Sequence, residues 1–171
     1  MAQGEMNHRV EGDKVLVLER EFDAPRDLVF EMFADSEHLK HWWGPRGWDL
    51  PVSRLDFREG GSWLYCMRCV DESQGEFYGQ ESWGKMVYAQ IVRPERIVYT
   101  DYFTDAEGNV DTSLPATDTV LEFVDLGGRT RLVSRTTYAT PEALKTVLDM
   151  GMLPGITQTW DRLEERLAAV A

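Results

Sequence analysis

The spacing of apolar side chains changes along the chain, and each change predicts a different element. Over residues 15–23, apolar and polar positions alternate with the two-residue period of a β-strand. Asp23 and Pro25 then suit the start of a helix, because aspartate is a good cap and proline fits the first turn. A second short helix is predicted from Ser36, its expected cap, to Trp43, where Gly44 and Pro45 end it.

The two-residue period returns over the middle of the chain. It predicts further strands over 52–57, 62–70, 77–92, 96–104, 117–124 and 130–138, of which 77–92 is one long strand or two short ones. The segment 105–116 contains Gly, Asn, Asp, Ser and Pro, and is predicted to be a loop. Short turns between consecutive strands favour an antiparallel sheet.

Helical spacing dominates the C-terminal part. A helical segment is predicted after Thr140, and one apolar stripe then defines a long C-terminal helix through Met152, Ile156, Trp160, Leu163 and Leu167. Gly151, Pro154 and Gly155 are expected to kink or divide the helical region near the start of this stripe. The whole pattern predicts an α+β fold.

Length and composition fit one globular domain. The chain has 171 residues, and domains average roughly 150 residues. We expect residues 1–14 to be a flexible N-terminal tail and residues 15–171 to be a single domain. No apolar run approaches the ~18 residues that a membrane span needs, and no secretory signal is evident.

The net charge and the cysteine content limit the kinds of partner and the cellular compartment that we expect. The formal net charge is −12, which disfavours nucleic acid because an acidic surface repels phosphate. Two cysteines cannot form a disulfide framework, and indicate reduced thiols in a cytoplasmic protein. Six Trp, six Tyr, seven Phe and seven Met favour either a well-filled aromatic core or a lined cavity.

Several short motifs occur in a particular order. They are FDAP at 22–25, WWGP at 42–45, DFREGGSW at 56–63, PERIV at 94–98, GRTRL at 128–132, and GM at 151–152 with DRL at 161–163. In this order the chain resembles the family of homologues of the activator of the heat-shock protein 90 ATPase, within the START-like, or SRPBCC, superfamily of helix-grip proteins. The resemblance covers about residues 15–169.

The resemblance implies a curved seven-stranded antiparallel sheet wrapped around a long C-terminal helix, with two short helices after the first strand. It also implies a cavity for a hydrophobic small molecule between the sheet and that helix. Superfamily members include lipid carriers, hormone receptors, polyketide cyclases and aromatic-ring oxygenase domains. The eukaryotic chaperone activator has a separate N-terminal chaperone-binding domain, to which nothing in this sequence corresponds.

The cavity hypothesis names residues from the predicted strands and from the long helix. Only one of Tyr102 and Phe103 is expected to point inward, because adjacent strand residues alternate. The candidate lining residues are Trp42, Trp63, Tyr65, Met67, Trp83, Met86, Tyr88, Tyr102, Phe103, Met152, Ile156 and Trp160.

Three charged residues share a strand face with apolar neighbours and are candidate polar groups of the cavity: Arg20, Asp101 and Arg135. A charge that points inward must be paired or bound to a ligand, because an isolated buried charge is costly. An arginine would then hold a carboxylate or enolate, and Asp101 would serve as a base. The alternative is that each forms a salt bridge at the rim or on the solvent face of the sheet.

Two further patterns are expected to carry no chemistry. Cys66 and Cys69 form a C-x-x-C on a strand, where an offset of three residues places the sulfurs on opposite faces. His38 and His41 lie three apart on a short helix and are expected to be solvated. We therefore expect no metal and no cofactor.

Three functions stay open at this point. The first is the binding of a hydrophobic or aromatic small molecule, such as a lipid, in the cytoplasm. The second is a polyketide cyclase-like or hydrolase-like enzyme on the same fold. The third is a co-chaperone-like stress protein that stimulates the ATPase of an HSP90-type chaperone, although the missing N-terminal domain makes a chaperone partner doubtful. A homodimer through a sheet edge or the loop 105–116 is an option.

Overall fold

The computed structural model describes residues 4–170. The strands are β1 (Asn7–Glu11), β2 (Val15–Phe22), β3 (Trp48–Leu55), β4 (Ser62–Cys69), β5 (Glu81–Val92), β6 (Arg96–Phe103), β7 (Thr117–Asp125) and β8 (Thr130–Thr137). The helices are α1 (Arg26–Ala34), α2 (Ser36–Trp42), α3 (Pro141–Asp149) and α4 (Met152–Val170). A short 3₁₀ segment occupies Glu72–Phe77, and the predicted strand region 77–92 contains one long strand, β5.

All eight strands form one sheet in the order β1-β2-β8-β7-β6-β5-β4-β3, with every neighbouring pair antiparallel. The predicted α+β helix-grip architecture is confirmed, but the sheet has eight strands instead of seven. The additional strand is β1, which lies within the predicted tail. Its five residues are all exposed, so it carries no apolar alternation that the sequence would reveal. Residues 1–3 of that tail lie outside the described part of the chain.

The concave face of the sheet and α4 enclose the core. On β2, alternation points Leu16, Leu18 and Phe22 inward, and all three are buried. From the helix, Trp160, Leu163 and Leu167 are buried against this face. The stripe predicted for the long C-terminal helix is therefore the side that packs on the sheet. No helix within residues 4–170 is long and apolar enough to cross a membrane.

The ends of the helices follow from local chemistry. Asp35, and not Ser36 as predicted, caps α2, because its side chain accepts a hydrogen bond from the backbone N–H of Glu37 at 2.9 Å. Gly151, with φ +86°, separates α3 from α4. This left-handed conformation favours glycine and explains the division of the helical region.

Arg162 anchors α4 to the segment that follows α2. Its Nη1 donates to the carbonyl oxygens of Gly44 at 2.7 Å and Trp48 at 3.2 Å, with longer contacts to Trp43 and Pro45. Its Nη2 donates to the carbonyl oxygen of His41 at 3.3 Å. These bonds satisfy backbone carbonyl groups between His41 and Trp48, and they fix this segment beside α4.

Candidate functional site

A cavity of about 410 Å³ lies between the concave face of the sheet and α4. The walls are mostly apolar, with hydroxyl groups from β7 and β8. The helix contributes Met152, Gly155, Ile156 and Trp160, and the sheet side contributes Leu16, Leu18, Met67, Met86, Tyr99, Asp101, Thr117, Thr119, Leu121, Ser134 and Thr136. Phe33, Trp43 and Tyr138 complete the lining.

A second cavity, of about 520 Å³, lies beside the first. It is bounded by the ends of β4, β5 and β6, by the loop 105–116 and by α3. Asp101, Thr117 and Tyr138 line both cavities, so the two spaces meet at this group of side chains. Phe103, Leu114 and Met150 line the second cavity and are exposed. We name the 410 Å³ space the inner cavity and the 520 Å³ space the outer cavity.

Asp101 and Tyr65 form the polar centre of the site. The Tyr65 hydroxyl donates to Asp101, at 3.0 Å from Oδ1 and 3.1 Å from Oδ2. Tyr65 is on β4 and Asp101 on β6, so the phenol must cross β5 to reach the carboxylate. It crosses at Gly84, where an added Cβ would lie 2.4 Å from the Tyr65 Oη. The contact therefore depends on a glycine at this position.

Burial changes the acidity of this group of residues. The pKa of Asp101 is raised from 3.8 to about 7, because burial disfavours the charged form, and the hydrogen bond from Tyr65 partly opposes this effect. Burial also raises the pKa of Tyr65 well above its ordinary value, and that of Tyr138 to about 12. At neutral pH the tyrosines are neutral donors, whereas Asp101 exchanges between its two forms.

Replacing Gly84 by alanine is expected to separate Tyr65 from Asp101, because the new methyl group occupies the position of the phenol. Asp101 then loses a hydrogen bond that lowers its pKa, so that pKa should rise above about 7. A ¹³C NMR titration of the Asp101 carboxyl group measures this. Tyr65→Phe removes the same hydroxyl without a steric conflict and should shift the pKa in the same direction. An unchanged Asp101 pKa in both variants would contradict the proposed role of the contact.

The structure distributes the predicted apolar residues over two cavities and the core. Met67, Met86, Met152, Ile156 and Trp160 line the inner cavity, and Tyr65, Trp83, Tyr102 and Phe103 line the outer cavity. Phe103 shares the inward face with Asp101. Trp83 pairs with Cys66 on the opposite face, and its indole N–H donates to the exposed Glu81, so it reaches only the margin of the site.

Three of the predicted tryptophans and tyrosines line neither cavity. Trp63 and Tyr88 border only a void of about 10 Å³ and therefore pack in the core. Trp42 is fully buried, and its indole N–H donates to the carbonyl oxygen of Met32 at 3.1 Å. The neighbouring Trp43 lines the inner cavity in its place, because α2 ends at Trp42 and turns the next side chain toward the sheet.

Of the three charged candidates, only Asp101 lines the cavities. Arg20 is on the inward face but pairs with Asp161 on α4, with its Nη1 2.8 Å from Oδ1. Arg135 is on the outer face of the sheet and donates to Glu122 at 2.7 Å. Arg20 and Arg135 therefore line neither cavity. Arg135 forms the salt bridge on the solvent face that was the alternative, whereas Arg20 points inward and is paired with α4.

The prediction missed the hydroxyl groups of the inner cavity. Thr117 and Thr119 on β7, and Ser134 and Thr136 on β8, alternate inward beside Asp101 and Leu18. Thr119 and Thr136 hydrogen-bond to each other at 2.8 Å. The two-residue period was available in the sequence for all four. They were overlooked because serine and threonine on a strand are ordinary on the solvent face as well.

The cysteines and histidines considered for redox or metal chemistry do not form a redox pair or a metal site among the described residues. Cys66 and Cys69 are both buried free thiols, and burial raises the pKa of Cys66 to about 11, which disfavours a reactive thiolate. His38 lies beside Arg166, whose Nη2 is 3.1 Å from the His38 Nδ1. Within residues 4–170, no three His, Cys, Asp or Glu side chains are arranged to hold a metal ion.

A comparison with models of protein families identifies the family of this chain. Residues 23–168 match the family described as activator of Hsp90 ATPase homolog 1-like protein. The chain belongs to this family. The match includes α1, α2, β3–β8 and nearly all of α4, so it contains most of the residues that line both cavities. No curated protein matches the sequence significantly.

Solved structures share the fold over almost the whole chain. A crystal structure of protein Ms6760 from Mycobacterium smegmatis is 28% identical, with 94% of each chain covered and a TM-score of 0.79. An NMR structure from Staphylococcus epidermidis is 27% identical, covers 95% of this chain and 94% of the other, and has a TM-score of 0.81. A protein from Arthrobacter aurescens, 24% identical, has a TM-score of 0.83 with 95% and 91% covered.

Proposed function

We propose that this member of the family binds a hydrophobic or aromatic small molecule in the inner cavity. The observation that carries the proposal is the space of about 410 Å³ between α4 and the sheet. Small-molecule sites typically measure roughly 300–1,000 Å³ and combine apolar walls with a few polar groups. Here Met67, Met86, Ile156 and Trp160 offer apolar surface, and Asp101 is at one side.

The outer cavity supports the same proposal, because it offers a route to the inner one. The two spaces share Asp101, Thr117 and Tyr138. A ligand that enters between α3 and the loop 105–116 would pass these three side chains before it reaches Trp160. Its polar group would then stay near Asp101, while its apolar part contacts the helix.

Native mass spectrometry of protein purified from its own host tests the proposal directly. We expect a complex that is heavier than the polypeptide and that releases a single organic compound on denaturation. The compound should be displaced by an excess of a competing aromatic probe such as 1-naphthalenemethanol. A protein that neither carries a compound nor takes up such probes would contradict the proposal.

Filling the inner cavity from the helix is expected to abolish binding without unfolding the protein. Gly155 lines the cavity, and a Cβ added there meets nothing within 4 Å. Gly155→Phe therefore places a ring in the ligand's space, and we expect at least a tenfold loss of affinity for 1-naphthalenemethanol, measured by calorimetry. Stability should not fall, because glycine costs a helix about 1 kcal/mol relative to alanine and phenylalanine costs less than that.

Two variants control this experiment. Gly155→Ala adds only a methyl group, so it should retain binding and raise the melting temperature. Ala168→Phe adds the same ring on an exposed position of α4 and should leave binding unchanged. Full affinity in a folded Gly155→Phe protein would place the ligand elsewhere.

Acid–base catalysis is a second candidate, favoured by one specific observation. Asp101 is a carboxyl group in the cavity wall whose pKa is near 7, which suits proton transfer at neutral pH. A compound recovered from the protein, incubated in D₂O, tests this candidate. Exchange of a C–H hydrogen with wild-type protein, and not with Asp101→Asn, would support catalysis, and equal exchange with both would oppose it.

A further inference from the structure

We infer that the ligand of the inner cavity carries a protonated amine, and that this amine pairs with the Asp101 carboxylate. The inference rests on the proposed function and names the chemical class of its ligand. It follows from the charge of the cavity wall, from the partner of Asp101, and from the aromatic side chains nearby.

The wall holds one side chain that can carry a full charge near neutral pH. Among the described residues that line the inner and outer cavities, Asp101 is the single carboxylate and none is Lys, Arg or His. A carboxylate without a cation is costly in an apolar site. A cationic ligand would supply the partner that the protein does not.

The geometry of Tyr65 favours the charged form of Asp101. The phenol donates to both carboxylate oxygens, at 3.0 and 3.1 Å, and a hydrogen bond to the charged form stabilises that form. Gly84 provides the space that this arrangement needs. The sheet thus positions a carboxylate that can accept further hydrogen bonds from a ligand. This carboxylate lines both cavities.

Aromatic side chains in the wall of the inner cavity suit a cation as well. Trp43, Tyr99, Tyr138 and Trp160 line the inner cavity with Asp101. The faces of such rings attract ammonium groups, most strongly where water is displaced. The net charge of −12 also raises the local concentration of cations over anions. A ligand anion would meet none of these favourable interactions.

The groups that face Asp101 leave its charge uncompensated. Tyr65 on β4, Tyr88 on β5 and Tyr99 on β6 are neutral phenols, as is Tyr138 after β8. Thr117 faces it from β7, and α3 and α4 contribute uncharged side chains to the walls, including Thr146, Val147, Met150 and Met152. Amine binding should therefore strengthen between pH 6 and pH 8, as Asp101 loses its proton.

Three probes with the same apolar part test the inference by calorimetry at pH 8: 1-naphthylmethylamine, 1-naphthalenemethanol and 1-naphthoic acid. They present a cation, a neutral hydroxyl and an anion. We expect the amine to bind at least about tenfold more tightly than the alcohol, a difference of about 1.4 kcal/mol. The acid should bind most weakly. Lowering the pH to 6 should weaken amine binding and leave alcohol binding unchanged.

Asp101→Asn should remove the preference for the amine, so that the amine and the alcohol bind this variant with affinities within about twofold of each other. The matched control is Asp118→Asn, which removes the same charge from an exposed position of β7 and should keep the preference. Tyr65→Phe should weaken amine binding at pH 7, because the hydrogen bond that favours the carboxylate is lost.

The outcomes separate this inference from the proposed function. If the alcohol binds and the amine has no advantage, or if the advantage persists in Asp101→Asn, the amine inference is overturned and the cavity still binds ligands. If the acid binds most tightly, the inference is likewise overturned. If no probe binds to the wild-type protein, both the inference and the proposed function are contradicted.

Discussion

Replacing Asp101 by asparagine is expected to raise the free energy of unfolding at pH 8 by up to about 4 kcal/mol. Burial raises the pKa of this carboxyl group from 3.8 to about 7. Each pKa unit corresponds to about 1.4 kcal/mol of difference between the charged and the neutral form. At pH 8 the wild-type protein must keep a charged carboxylate in a buried position. Asparagine is neutral at this pH, so the variant folds without that cost.

The sign of the pH dependence follows from proton linkage. Between pH 4 and pH 7, the folded protein holds a proton on Asp101 that the unfolded chain has already released. The Asp101 contribution to stability is therefore fully present below pH 4 and is lost as the pH rises through about 7. Asp101→Asn should show no such decline. The variant and the wild type should converge near pH 4 and separate toward pH 8.

Urea unfolding followed by tryptophan fluorescence, at intervals from pH 4 to pH 8, measures this difference. Asp118→Asn controls for the change in net charge, since Asp118 is exposed on the other face of β7, and it should follow the wild-type profile. Parallel profiles for wild type and Asp101→Asn would show that Asp101 is not desolvated in the folded protein.

A stabilising substitution at this position would also bear on function. Groups that cost stability are found where activity or binding requires them. Asp101 has no cationic partner among the described residues that line the two cavities, so the fold offers its charge no ion pair. This distinguishes it from Arg20, whose charge is paired across the core. A stability gain in Asp101→Asn together with a loss of amine binding would indicate this trade-off.

The alternation of apolar residues was sufficient to predict seven strands of the sheet but not the edge strand β1. The strands β2 and β4–β8 contain enough inward-facing apolar residues for the two-residue period to be visible. The strand β1 packs no side chain on the core, and backbone pairing with β2 from Asn7↔Glu19 to Glu11↔Val15 holds it. Hydrogen bonds between main chains leave no trace in the side-chain pattern, which is why a tail was predicted there.

The site was predictable where a side chain belongs to a regular element. Met152, Ile156 and Trp160 follow the helical stripe and line the inner cavity. Trp42 and Trp43 lie where α2 ends, so no periodicity decides which of them faces the cavity. For Asp101 and Arg135, alternation shows only which residues of the same strand share a face with them. It does not show whether that face is the concave or the convex side of the sheet. The pairing of the strands decides which face is concave, and that pairing is a property of the whole sheet.

Removing both carboxylates that face Arg20 is expected to destabilise the protein by about 3–5 kcal/mol. The Arg20 side chain is 1% exposed, with Nη1 2.8 Å from Asp161 Oδ1 and Nη2 3.5 Å from Glu164 Oε2. In the double variant Asp161→Ala and Glu164→Ala, the guanidinium stays buried between β2 and α4 without a carboxylate on the helix. Chemical denaturation at pH 7 measures the loss.

Two further variants test whether the expected destabilisation comes from the unpaired charge of Arg20 or from the loss of side-chain contacts. Arg20→Met removes the charge and leaves Asp161 and Glu164, which are 39% and 43% exposed, free to be hydrated. It should therefore cost less than the double variant. Glu165→Ala breaks the exposed pair with Arg46 and should cost no more than about 1 kcal/mol. If the double variant were as stable as Glu165→Ala, the pairing of Arg20 with α4 would not hold the helix on the sheet. If Arg20→Met were the less stable of the two, packing of the arginine side chain would outweigh its charge.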